Sequence, residues 1–191
     1  MNRLILGLVV FFGVHSISML ALDWRNRAAG RLGTRAWQGL YAIASLIGFY
    51  LIVAGYGASR LSTEIVYVTP PSFRYVAAIL MLPAFTLALA SVLPGRIRVR
   101  VGHPLVLATM LWAAAHLLTN GGVADLLLFG TFLVWSIAVR ISLGRRPPRR
   151  PIALPSSAMN DAISVVAGLA LYAIFIAWLH ARLFGAPPLV W

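Results

Sequence analysis

Residues 4–22 read LILGLVVFFGVHSISMLAL, a stretch of 19 residues without Asp, Glu, Lys or Arg. A run of about 18 or more residues with few or no charges is long enough to cross the hydrocarbon core of a bilayer as an α-helix. The stretch therefore predicts a membrane-spanning helix. It also carries His15 far from either end, and an ionisable group at that depth marks a candidate functional site.

The composition of the whole chain agrees with a membrane protein. Of its 191 residues, 61% are hydrophobic and 10% are charged, against about 45–50% and about 25% in soluble domains. Cysteine is absent, which excludes disulfides, iron–sulfur ligation and thiolate chemistry. The formal net charge is +12, but all sixteen basic residues are arginines, and all except Arg140 and Arg182, near the ends of their runs, lie outside the apolar runs. The arginines are therefore expected to set topology and contact lipid headgroups, and no nucleic-acid partner is expected.

Six apolar runs are predicted to span the membrane, at residues 4–22, 37–57, 75–93, 105–118, 123–141 and 162–183. The fourth is short, but Gly102-His103-Pro104 in front of it favours a helix start, with proline in the first turn. Asn160 is predicted to cap the last helix, with Asp161 in its first turn. The sequence thus predicts an all-α, polytopic transmembrane helix bundle of about six helices, in a single domain over residues 1–191.

The arginines are distributed unevenly between alternate loops. The first, third and fifth loops hold twelve of the sixteen arginines, and by the positive-inside rule these loops lie in the cytoplasm. Both chain termini are then predicted to lie on the opposite, periplasmic side. The twelve are Arg25, Arg27, Arg31, Arg35, Arg96, Arg98, Arg100, Arg140, Arg145, Arg146, Arg149 and Arg150.

This topology places two histidines at similar depth. His15 lies 11 residues into the first span and His116 lies 12 residues into the fourth, about 17 Å and 18 Å from opposite faces. In a hydrocarbon core of about 30 Å they differ in depth by about 5 Å, so both can face one metal near the midplane. Neutral imidazole is the form that ligates iron and other transition metals. His103 lies 13 residues before His116 on the same helix, about 20 Å away, and cannot share that metal.

Short motifs occur along nearly the whole chain. They are GVHS at 13–16, RLG at 31–33, WQGLY at 37–41, GYG at 55–57, GHP at 102–104, LWAAAHLLTNG at 111–121, ADLLLFG at 124–130 and ND at 160–161. Together they resemble the NnrU family. The resemblance implies a protein of the bacterial inner membrane that is linked to denitrification and nitric oxide metabolism. The family is similar to 15-cis-zeta-carotene isomerase, a membrane protein that uses haem b.

The resemblance also implies ligands for haem. In the isomerase, they lie in a His-Ser motif of an early helix and in an Ala-His motif 13 residues after a His-Pro. These motifs match His15 and His116, which the resemblance therefore implies as the axial ligands of haem b. The isomerase has a cysteine three residues before the second ligand, but this chain has Ala113 there.

Other polar residues are candidates for supporting roles. Asp125, with Asn120, is predicted to orient an imidazole, and helix capping is the alternative. His103 is a further polar candidate, and headgroup binding or helix capping are its alternatives. For His15 and His116 the alternative is a hydrogen bond between helices. His180 is predicted to be interfacial.

Three classes of function stay open. The first is a haem protein that acts as an isomerase, a redox carrier or a nitric-oxide-responsive factor, with an apolar or lipid-like substrate. The second is a membrane methyltransferase of the isoprenylcysteine or phospholipid type, which the Gly-His-Pro helix start also resembles. Such enzymes use acidic residues after a later helix, whereas the single glutamate here is Glu64, far upstream. The third is an assembly partner of a respiratory complex.

Overall fold

The computed structural model describes residues 1–145 and 157–189. Within these ranges the chain forms eight helices, and its β-structure is one isolated bridge between Ile65 and Gly122. Each of the six predicted spans is a helix. The helices are α1 Asn2–Leu20, α2 Leu22–Leu32, α3 Thr34–Ser59, α4 Phe73–Ala90, α5 Arg96–Val101, α6 Pro104–Leu117, α7 Val123–Gly144 and α8 Ala158–Phe184.

Five helices are long and apolar enough to cross a membrane, namely α1, α3, α4, α7 and α8. Large apolar side chains on their outer faces, such as Leu46 and Tyr50 of α3, are exposed, as lipid-facing residues would be. Helix α6 has 14 residues and is shorter. Its length of about 21 Å is less than the hydrocarbon thickness of about 30 Å. The predicted all-α class is confirmed for the described residues, and five of the six predicted spans are long and apolar enough to cross a membrane. The six crossings stay a prediction.

The arginine-rich first loop, between the first two predicted spans, contains the helix α2, which the sequence analysis did not predict. Helix α1 ends at Leu20, and Ala21 has φ −141° and ψ 54°, outside the helical region. Asp23 lies in the first turn of α2, where a negative charge favours the helix dipole. Gly33 ends α2 with φ +82°, a conformation that favours glycine. The third loop likewise contains the short helix α5. In the fifth loop, Arg146, Arg149 and Arg150 lie outside the described residues.

The predicted cap of the last helix is also wrong. Ser157 caps α8, because its Oγ accepts a hydrogen bond from Met159 N at 3.1 Å. Asn160 instead donates its side-chain N–H to the carbonyl of Pro94 at 2.6 Å. Asp161 is in the first turn of α8, as predicted. Its carboxylate accepts from the backbone N–H groups that begin α5, those of Arg96 and Ile97, at 2.9 and 3.0 Å.

The contacts of the chain divide into two compact units. The first unit comprises Met1–Val66 and Gly122–Thr131. In it α1 packs directly on α3, backbone against backbone: a Cβ on Gly48 would lie 2.7 Å from the nitrogen of Phe11, and one on Gly7 would lie 2.6 Å from that of Ile52. Small residues allow this close approach of two membrane helices. The buried apolar residues of this unit include Leu4, Leu8, Phe12, Ile52, Leu128 and Phe129.

The second unit comprises residues 67–121 and 132–191, as far as they are described. Helix α4 contacts both α6 and α8. On the α8 side, the ring of Phe85 lies 5.9 Å from Tyr172 and 5.5 Å from Phe175. The buried residues here are mostly small, and include Ala84, Ala90, Ala108, Ala113, Ala115, Ser136 and Ser164.

Two of the long helices contain a π-helical turn. Helix α7 has one at Leu126–Gly130 and α8 has one at Phe175–Leu179. A π turn inserts one residue, which rotates the following side chains by about 100° around the helix axis. Such turns are frequent at functional sites. Here the first follows Asp125 directly and the second precedes His180 directly.

Candidate functional site

His15 lies within α1, in the first unit, and is half-buried. Its Nδ1 is 2.7 Å from the carbonyl oxygen of Phe11, one turn earlier. A carbonyl only accepts hydrogen bonds, so Nδ1 carries the proton and Nε2 carries the lone pair of the neutral ring. The imidazole stacks on Phe11 at 4.1 Å between ring centroids, and the ring of Tyr41 is 5.2 Å away.

His116 lies in the last turn of α6, in the second unit. Its Nδ1 is 2.8 Å from the carbonyl oxygen of Trp112, again one turn earlier. The same reasoning places the lone pair on Nε2. The ring of Trp112 lies 5.2 Å from that of His116. The two histidines therefore share one local geometry, although they belong to different units.

This geometry suits metal binding. A ligating histidine commonly donates its other ring N–H to a carbonyl or carboxylate, which selects the tautomer and holds the ring. Both His15 and His116 use their own helix backbone for this purpose. Imidazole is a donor that suits a transition metal, and the binding of both histidines to one metal stays a prediction. Among the described residues there is no group of three or more His, Cys, Asp or Glu side chains that could hold a metal ion.

Hydrogen bonds to backbone carbonyls hold the C-terminal end of α6, at and after His116. The Tyr67 hydroxyl donates to the carbonyls of Leu117 and Asn120, and Tyr67 N donates to the carbonyl of Gly121 at 3.3 Å. The side chain of Asn120 donates to the carbonyl of His116 at 2.8 Å. Asn120, a predicted site residue, thus contacts the backbone of His116. Tyr67 was missed, because it lies 50 residues from its partner Leu117 and no local motif marks it.

Asp125 is buried at the start of α7, and the capping alternative for it is confirmed. One carboxylate oxygen accepts from the N–H of Gly122 at 2.9 Å, and the other accepts from the hydroxyl of Tyr56 at 2.6 Å. Of the next two N–H groups of the helix, that of Val123 donates to the carbonyl of Glu64 and that of Ala124 donates to Thr63 Oγ1. The role of Asp125 in orienting an imidazole stays a prediction. Tyr56 was missed, because 69 residues separate it from Asp125.

His103 occupies the N-cap position of α6 and is exposed. Its side chain makes no capping hydrogen bond, so that alternative is wrong. Partial burial lowers the pKa of His103, and the positive charges of Arg140 and Arg98 lower it further. The arginines around it favour a neutral imidazole.

His180 lies in the same unit as His116. The centroids of the two imidazoles are 6.4 Å apart, and their planes make an angle of 30°. Nearby, the guanidinium of Arg182 lies 5.9 Å from the ring centroid of Trp178, which suits the interfacial position predicted for this end of α8. Sequence reasoning did not predict that His180 lies beside His116.

The family model described as NnrU protein matches residues 3–188, nearly the whole chain. Searches of curated proteins and of solved structures found no match.

Proposed function

This chain belongs to the NnrU family, and from that premise we propose that it binds haem b in the bacterial inner membrane, with His15 and His116 as axial ligands. The haem would serve nitric oxide or denitrification metabolism, or an isomerase or redox reaction on an apolar substrate. The first role follows from the resemblance to the NnrU family, and haem b and the isomerase or redox role follow from that family's similarity to 15-cis-zeta-carotene isomerase. Assembly with a respiratory complex is a further role compatible with a haem protein.

The tautomers of the two histidines carry this proposal. In each ring Nδ1 donates to the carbonyl four residues earlier, at 2.7 Å for His15 and 2.8 Å for His116. Nε2 is then the nitrogen that can donate electrons to iron. An axial ligand requires a held ring and a defined lone pair, and this arrangement supplies both.

The surroundings of the two rings support the same conclusion. Phe11 and Tyr41 flank His15, and Trp112 lies beside His116, so each imidazole lies among aromatic rings. Haem held by two imidazoles supplies redox chemistry and a site for small ligands, tuned by the polarity around it. The residues of this chain hold the rings and select their tautomers.

The proposed topology has six crossings and both termini on the periplasmic side. It is supported by the arginines of the first and third loops, which lie on or beside the short helices α2 and α5. Helix α6 would cross as the shortest span, and its end would lie within the hydrocarbon region. Non-helical backbone is tolerated there only where protein satisfies its polar groups. Tyr67 does so for three carbonyls between residues 117 and 121, and Glu64 and Thr63 do so for the N–H groups of residues 123 and 124.

Absorption spectroscopy tests the haem proposal. Purified in mild detergent from cells supplied with a haem precursor, the protein should show a Soret band and a b-type pyridine haemochrome. His116→Ala should abolish or shift the spectrum, since it removes a ligand, and His15→Ala should at least shift it. His103→Ala is the matched control and should leave the spectrum unchanged. A folded but colourless protein would contradict haem binding, and titration with a methyl donor would then test the methyltransferase alternative.

Reporter fusions test the topology. A reporter that is active only in the cytoplasm should be active after Arg35 or Arg100 and silent after Trp191. Activity after Trp191 would show that the number of crossings is odd or that the orientation is reversed.

A further inference from the structure

His116 and His180 form a histidine pair within the second unit. Their ring centroids are 6.4 Å apart with an interplanar angle of 30°. A contacting stack in the same protein, His15 on Phe11, has a centroid separation of 4.1 Å and an angle of 23°. Two imidazoles that bind one metal from opposite sides, each with its nitrogen about 2 Å from the metal, have centroids about 6 Å apart. The separation of the pair thus suits two ligands of one metal, and it also lies within the range of about 4.5–7 Å that is ordinary for aromatic rings in contact.

The backbone that follows His180 holds its imidazole. Its Nδ1 is 2.6 Å from the carbonyl oxygen of Ala186 and donates to it, so in the neutral ring the lone pair is on Nε2, as in the neutral rings of His15 and His116. Gly185 has φ +69°, a left-handed conformation that lets the chain turn back after α8 and brings the carbonyl of Ala186 to the ring.

The segment before His180 determines where the ring faces. The π turn Phe175–Leu179 ends at the residue before it and rotates His180 by about 100° from its place in an uninterrupted α-helix. The ring lies near Phe175 and Phe184, at 5.9 and 5.0 Å between centroids. Two aromatic rings therefore flank the imidazole of His180.

We propose that His180 is a second imidazole partner for the metal that His116 binds, and that it takes the position opposite His116 when His15 is removed or displaced. This inference rests on the proposed function, because it requires His116 to be a ligand. The exchange breaks one iron–nitrogen bond and forms another. It needs no oxidant and no proton, because Nδ1 of each imidazole keeps its hydrogen.

The test compares spin states by electron paramagnetic resonance and absorption of the oxidised, full-length protein. Wild type, His180→Ala and His15→Ala should all be six-coordinate and low spin. In the double variant His15→Ala/His180→Ala, the intensity of the low-spin signal should fall at least about tenfold relative to wild type. In the matched double variant His15→Ala/His103→Ala, it should be unchanged. Added imidazole should restore the signal in the first double variant, which would show that it is still folded.

A change of ligand type separates binding from mere support of the fold. His15→Ala/His180→Met should give the spectrum of histidine–methionine ligation, which a purely structural residue at this position would not produce. If His15→Ala already matches His15→Ala/His180→Ala, His180 is no ligand, although the proposed function still holds. If the wild-type protein binds no haem, the proposed function fails, and this inference fails with it.

Discussion

His15 and His116 are held by the same hydrogen bond in two different settings. His15 is within a helix of 19 residues whose backbone packs against α3 through glycines. His116 is in the last turn of a helix of 14 residues, and polar bonds from Tyr67 and Asn120 hold that helix end. The buried residues around α1 include Leu8 and Phe12, whereas those of the second unit are mostly alanine and serine.

The difference shows that one chain can position equivalent imidazoles by two physical means. At His15 the determinant is the close packing of two helices, which any added atom disturbs. At His116 it is a set of hydrogen bonds to backbone carbonyls, each of modest net strength. Substitutions in the first unit should therefore have larger effects on stability than those in the second.

Gly48→Val should have the largest effect. Its Cβ would lie 2.7 Å from the nitrogen of Phe11, the residue whose carbonyl holds His15. Backbone cannot give way as a flexible side chain can, so we expect a destabilisation of about 3 kcal/mol, measured by thermal unfolding in mild detergent. Gly57→Val is the matched control on the same helix, because its Cβ would meet nothing within 4 Å. Equal melting of both variants would contradict the close packing of α1 and α3.

Tyr56→Phe should have the next largest effect. The change removes the hydroxyl that donates to buried Asp125 at 2.6 Å. Hydrogen bonds to charged groups contribute about 2 kcal/mol, and the variant should melt correspondingly lower. Tyr50→Phe, on an exposed tyrosine of the same helix, is the control. An unchanged melting temperature for Tyr56→Phe would mean that this bond adds no net stability.

Tyr67→Phe should cost less, about 1 kcal/mol, because its hydroxyl donates to neutral carbonyls. Since these carbonyls end α6, the variant should also disturb haem bound through His116 more than Tyr56→Phe does. The two tyrosine variants, compared by melting and by Soret spectrum, separate stability from ligand positioning. If Tyr67→Phe destabilised the protein more than Tyr56→Phe, the contrast between the two units would be wrong.

The smallest effect is expected for the pKa of His103 and its contribution to the pH dependence of stability. Its pKa should lie below its ordinary 6.5, because of burial and then of Arg140 and Arg98. A folded-state pKa below that of the unfolded chain means that stability falls as pH drops below 6.5. Histidine titration by NMR should show a higher pKa of His103 in Arg140→Gln, and a smaller rise in Arg98→Gln. Arg74→Gln is the control, and a pKa of His103 at or above 6.5 in the wild type would contradict the prediction.

Much of the fold was predictable because the membrane imposes a simple rule. A helix that faces lipid must be apolar over its length, so apolar runs mark where helices lie. The run at 105–118 became Pro104–Leu117, and the run at 123–141 became the first part of Val123–Gly144. Helix α2 was not predicted, because its polar sequence does not form an apolar run. Asp23 in its first turn and Gly33 at its end are nevertheless signals of a helix.

The histidines of the candidate site were equally visible in the sequence. His15 and His116 stand out in apolar surroundings, and each hydrogen-bonds within its own helix, four residues back. Such local contacts depend on helix geometry alone. The amino-acid sequence therefore suffices for the membrane class, the positions of the main helices and the family.

The long-range partners could be known only from the folded chain. Tyr56 meets Asp125, Asp161 caps α5, and His180 lies beside His116, in each case across more than 60 residues of chain. No local pattern encodes such meetings, because they depend on how helices pack and on the π turn that rotates His180. Packing alone determines which polar groups become neighbours once the apolar faces have been buried.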